Sequence, residues 1–149
     1  MPFPGAAGRL VPKLNFRIEY QYKDEQGILL PVALRYADRE TDFFARVDTG
    51  ASFCIFQRLH AETVGIVVES GAPMWISTVT GGFRAYAHRV ALGVLGIEVE
   101  ATVYFAENPA MPRDVLGQTG WLDRMRLGLV DHDRQLYLSH YDDAADDER

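Results

Sequence analysis

The stretch Ala45-Arg46-Val47-Asp48-Thr49-Gly50-Ala51-Ser52-Phe53-Cys54-Ile55-Phe56 decides how this chain is read. A largely apolar run carries one Asp into a Thr-Gly turn, and a second apolar run leaves it. The turn therefore sets a carboxylate at a strand end, beside a hydroxyl and a residue without a side chain. Thr49 can tie its hydroxyl to nearby backbone. Gly50 lets another backbone or a ligand come close. No second Asp-Thr-Gly or Asp-Ser-Gly occurs in the sequence.

Upstream, Leu14, Phe16, Ile18, Tyr20 and Tyr22 alternate with polar residues, which predicts a half-buried strand over 14–22. A polar turn ending in Gly27 leads to a strand over 28–36. Pro31 has no N–H to donate, so its end of that strand belongs at an edge or a bulge. Residues 37–42 are polar and read as a hairpin loop, with 43–47 returning to Asp48. Downstream, a short strand is expected at 52–56 and one or two helical turns at 57–64. Strands at 73–79 and 83–92 flank Thr80-Gly81-Gly82, which reads as a glycine-tipped hairpin. Alternation continues over 97–105. Val115-Leu116-Gly117 is a buried apolar pair and a glycine, and 118–125 shows helical spacing at Trp121, Leu122 and Met125. A last hairpin turns at Asp131-His132-Asp133.

The chain has 149 residues, 48% hydrophobic and 24% charged, enough for one domain with its own core. Residues 1–13 read as an irregular arm, 14–140 as the domain and 141–149 as an acidic, disordered tail. The tail carries about −4 of the formal −6, so the rest is nearly neutral. No basic stripe suggests nucleic acid, and no apolar run approaches a membrane span. The arm lacks the apolar core of a signal peptide. With a single cysteine, this favours a reducing, cytoplasmic setting.

The order of these parts resembles the retropepsin-like aspartic proteases, the single-lobed branch of the pepsin superfamily. The matching residues are Val47-Asp48-Thr49-Gly50-Ala51-Ser52, the hairpin at Thr80-Gly81-Gly82, and Asp114-Val115-Leu116-Gly117, spread over residues 28–139. The resemblance implies an all-β acid-protease β-barrel with one short C-terminal helix. It implies that Asp48, Thr49 and Gly50 form the catalytic turn. Ala51 and the flap residues Thr80, Gly81 and Gly82 would bind an extended peptide, and no cofactor or metal is called for. Such chemistry needs two carboxylates sharing a proton. A chain with one motif obtains the second from another copy, hence a C2 homodimer with Asp48 meeting Asp48 on the axis. Thr49 would hydrogen-bond across that interface. Arg46 departs from the family, which usually has an apolar or small residue two places before the Asp.

The same residues admit other readings. The same fold without the chemistry would be a dimeric peptide-binding or interaction module. A misread fold would leave, for example, a β-barrel ligand binder. Cys54 reads as a buried structural thiol, since no base accompanies it in a known motif. His60, His88, His132 and His140 lack paired metal spacing. Ser52 has no Gly-x-Ser-x-Gly context. Trp75 and Phe83 read as core aromatics more readily than as cleft lining.

Overall fold

The computed structural model describes residues 8, 13–23, 25 and 27–144. Ten strands make up most of it: β1 (Ile18–Gln21), β2 (Leu29–Tyr36), β3 (Arg39–Val47), β4 (Ile55–Phe56), β5 (Ala72–Thr78), β6 (Gly81–Val94), β7 (Ile97–Ala106), β8 (Val115–Leu116), β9 (Met125–Val130) and β10 (Gln135–His140). Among the described residues there is one α-helix, α1, which spans Arg58–Thr63. A seven-stranded sheet runs β2-β3-β8-β4-β7-β6-β5, and β2 also pairs with β6, so the order returns on itself. A separate three-stranded sheet runs β1-β10-β9.

Alternation explains the long strands. In β2, Leu30, Val32 and Leu34 turn inward and are almost fully buried, while their neighbours are half-exposed. They meet Phe56, Leu92, Phe105 and Leu116 in one core. Pro31 sits beyond the β6 ladder, which covers only Val32–Arg35 of β2. The bond from Val47 N–H to Ile28 O (2.9 Å) makes 28 and 47 a hydrogen-bonded pair. By period two, Pro31 and Phe44 are then a non-bonded pair, and the missing donor costs no ladder bond to β3.

Several expected boundaries shift for physical reasons. The loop expected over 37–42 is only the turn at Ala37-Asp38, with Ala37 at φ 55°, and β3 begins at Arg39. The polar run is the solvent face of a strand, where Arg35 pairs with Glu40 and Glu98. The strand expected over 14–22 shrinks to Ile18–Gln21 and joins β10. The helical segment expected over 118–125 narrows to a 3-10 turn at Leu122–Arg124. Gly120 at φ 105° and the bonds Leu122 N–H to Gly117 O (3.0 Å) and Asp123 N–H to Gln118 O (2.9 Å) span five residues, too wide for an α-turn. The arm over 1–13 lies mostly outside the described residues, as do residues 145–149 of the tail. Residues 141–144 are described, and there Asp143 takes two hydrogen bonds from the Arg17 guanidinium. That guanidinium holds the Asp143 carboxyl below the usual carboxylate range. Among the described residues no helix is long and apolar enough to cross a membrane.

Trp121, which follows Gly120, is fully buried, and its indole N–H has no partner among the described residues. Trp121→Ala is expected to cost about 3–5 kcal/mol in urea unfolding. Trp121→Phe should cost clearly less, because it removes the orphaned donor along with the volume.

Candidate active site

Three short pieces of backbone build the site. β3 ends at Val47, which pairs in parallel with Leu116 of β8. The next N–H, that of Asp48, donates to Leu116 O at 3.0 Å. The chain then turns: Ala51 N–H donates to Asp48 O at 3.1 Å, and Gly50 N–H to Asp48 Oδ1 at 2.9 Å. The second bond is an Asx-type turn that fixes the carboxylate on its own backbone. Asp48 is half-buried, and Thr49 and Gly50 are exposed. Asp48, Thr49, Gly50 and Ala51 therefore share one turn, as the sequence led us to expect.

The 117–119 segment holds this turn from behind. Gln118 N–H donates to Ala51 O (2.8 Å) and Thr119 N–H to Ser52 O (2.9 Å). The Gln118 amide reaches Thr49 O at 2.6 Å. Phe53 and Thr119 form a parallel bridge. Gly117 lies so close to the outgoing strand that a Cβ there would sit 2.2 Å from Phe53 O. Cys54 packs beneath, taking a hydrogen bond from Gly117 N–H at 3.4 Å. Burial pushes its thiol up to about 12, so it stays protonated and structural, as expected from its setting.

Asp114 has a role that sequence reasoning missed. Its Oδ1 accepts Gln57 N–H (2.9 Å), and its Oδ2 accepts the Gln57 side-chain amide (2.7 Å) and lies 3.1 Å from His60 Nε2. His60 in turn stacks on Phe43, with ring centroids 3.8 Å apart. Asp114 thus pins the start of α1 to β8 while its own carbonyl receives Arg46 N–H at 2.9 Å. Its carboxylate is committed to this clamp. Nothing in the local sequence distinguishes it from a loop acid, because its partners lie more than fifty residues away.

Thr80, Gly81 and Gly82 belong to a separate hairpin of β5 and β6. Its tip is Val79-Thr80, one residue earlier than the glycines suggest, with Thr78 facing Gly81. Gly81 at φ 140° makes the tight return possible. Gly82 has another use: the Trp75 indole lies across it, and a Cβ there would meet Trp75 Nε1 at 2.7 Å. Trp75 is 61% exposed, which corrects its reading as a core aromatic. Strand alternation puts it on the outer face of a hairpin that is covered on one side only. Among the described residues no group of three or more His, Cys, Asp or Glu side chains is placed to hold a metal ion.

Comparison with solved structures shows a retropepsin-like fold. The chain is similar to a retropepsin-like aspartic protease from Rickettsia conorii, with 16% identity, a TM-score of 0.60, and 83% of this chain covered against 99% of that one. It is also similar to EIAV protease complexed with the inhibitor HBY-793, with 19% identity, a TM-score of 0.52, and coverage of 66% and 88%. No protein-family profile and no curated protein sequence matches the chain.

Proposed function

We propose that the protein is an aspartic endopeptidase that works as a homodimer, with one Asp48 from each subunit activating a water between them. The observation that carries this reading is the Asp48 turn, tied by backbone bonds to the 116–119 segment on a retropepsin-like fold. One chain presents one such carboxylate. Two of them a few ångströms apart cannot both ionise. The ionised member takes a proton from water, and the protonated member donates to the scissile carbonyl. The pair titrates as a unit. The β2–β6 pairing closes the large sheet into a small barrel that holds the turn rigidly. The β5–β6 hairpin then acts as the flap over an extended peptide, with Thr80, Gly81 and Gly82 offering backbone groups.

The test is cleavage of a peptide library from about pH 3 to 7, combined with sedimentation to give the size. The expected result is a dimer that cleaves best on the acidic side. A folded dimer that cleaves nothing across this range would favour the peptide-binding module. A strict monomer at high concentration would sink both readings.

A further inference from the structure

We infer that Gln118 is a positioning residue for Asp48: its side-chain amide holds the Thr49–Gly50 peptide in the orientation that aims the Gly50 N–H at the Asp48 carboxylate. This rests on reading Asp48 as a catalytic carboxylate. The bond from Ala51 N–H to Asp48 O at 3.1 Å closes a four-residue turn over 48–51, with Thr49 and Gly50 at its centre. The peptide between those two residues is a rigid trans plane, so its C=O and N–H point in opposite directions. Both ends are taken. Gly50 N–H donates to Asp48 Oδ1 at 2.9 Å, and Thr49 O accepts the Gln118 side-chain amide at 2.6 Å. Among the described residues no other hydrogen bond reaches the Asp48 carboxylate or Thr49 O.

A Thr-Gly turn does not choose that plane by itself. Turns closed by the same bond come in two forms that differ by turning the central peptide over, and the second form needs φ > 0 at the third residue. Glycine stands there, and glycine takes positive φ without steric cost. Gly50 is nevertheless not one of the glycines at positive φ. In the turned-over form its N–H would leave the Asp48 carboxylate, and Thr49 O would swing toward the side that the N–H had occupied. A group outside the turn therefore has to select the plane.

Gln118 is placed to do so. Its N–H donates to Ala51 O at 2.8 Å and its O accepts Asp123 N–H at 2.9 Å, so the backbone that carries the amide is fixed on both sides. The amide then donates to the one carbonyl that must stay turned away from Asp48. Donation to a peptide C=O also polarises the N–H of the same unit and strengthens its bond to the carboxylate. With Oδ1 held in this way, the other oxygen of Asp48 is left for the water and the facing carboxylate of the proposed site.

The test uses the full chain with two substitutions. Gln118→Leu removes the donor, and Gln118→Glu keeps the shape but is an ionised acceptor near pH 6. Both retain the backbone bonds of residue 118, so thermal melts should stay close to that of the wild type. Gln118→Leu should lower kcat for peptide cleavage roughly tenfold with KM nearly unchanged. Gln118→Glu should be slower still, because a carboxylate repels Thr49 O. In protein carrying isotope-labelled glycine, the Gly50 amide proton resonance should move upfield in both variants as its bond to the carboxylate is lost. A side chain that only fills space predicts the reverse order, with the isosteric Glu near wild type and Leu impaired. That order, or a Gly50 amide unmoved in both variants, would overturn the assignment. A wild type that cleaves no peptide would overturn the catalytic reading of Asp48 instead, and the Gly50 amide alone then decides whether Gln118 sets the peptide plane.

Discussion

Asp48→Asn is expected to lower kcat for peptide cleavage by at least about a thousandfold while leaving the fold and the dimer intact. The substitution is nearly isosteric. The Asn carbonyl can still accept Gly50 N–H, the bond that shapes the turn at 2.9 Å. Asp48 N–H still reaches Leu116 O, and Ala51 N–H still closes the turn. Only the chemistry is removed. An amide neither ionises nor shares a proton with a facing carboxylate. In the proposed homodimer both subunits would lose their half of the site together, so a pure variant dimer should retain no active centre. Steady-state cleavage, a thermal melt and sedimentation on the same sample separate these effects. Activity near that of the wild type would refute the assignment of Asp48, and a collapsed fold would mean that its role is structural.

Gly117→Ala is expected to have the largest structural effect of any single methyl addition near the site. The new Cβ would lie 2.2 Å from Phe53 O, 2.6 Å from Phe53 C and 2.8 Å from Ala51 O. All three are backbone atoms, so no side-chain rotation relieves the contact. The 116–119 segment must move away from the outgoing strand. That movement strains the bonds from Gln118 N–H and Thr119 N–H to Ala51 O and Ser52 O. A loss of about 3 kcal/mol follows from overpacking alone. Calorimetry should show Tm lowered by roughly 6–12 °C. Cleavage should fall too, because the displaced atoms hold the Asp48 turn. Gly93→Ala is the matched control. Its Cβ would meet Ala33 Cβ at an ordinary 3.7 Å, and stability should change by no more than about 0.5 kcal/mol. If Gly117→Ala melted like this control, the close approach of the two segments would be disproved.

The elements legible in the sequence were those set by local rules. Period-two alternation located β7 and the region of β1, turn residues at Gly27 and at Thr80-Gly81-Gly82 bounded β2 and β6, and an Asp-Thr-Gly between apolar runs located the candidate turn. What escaped depends on partners distant in sequence. The polar run over 37–42 reads as a loop because strand alternation on a solvent-facing edge looks the same as loop composition. The spacing of Trp121 and Met125 mimics a helix, although both side chains are buried by a wide turn around Gly120. Asp114 could not be separated from a turn acid without knowing that α1 starts against it. Gly27 looked like ordinary turn punctuation, and its closeness to the Arg46 guanidinium, where a Cβ would lie 2.2 Å from Nη1, exists only once β2 and β3 are in register.

The pairing of β1 with β10 has a consequence for the order of events as the chain is made. Ile18 faces Leu138, and Arg17 N–H bonds Ser139 Oγ at 2.8 Å, a separation of 122 residues. Closing so long a loop is entropically costly, and contacts of this range slow folding. On a ribosome, β1 emerges before the other strands described and waits without its partner until β10, more than a hundred residues later, has been synthesised. The three-stranded sheet is then among the last structures to assemble. During that interval Ile18 and Tyr20 lack their final cover, and the nascent protein is most vulnerable to wrong pairing at this strand.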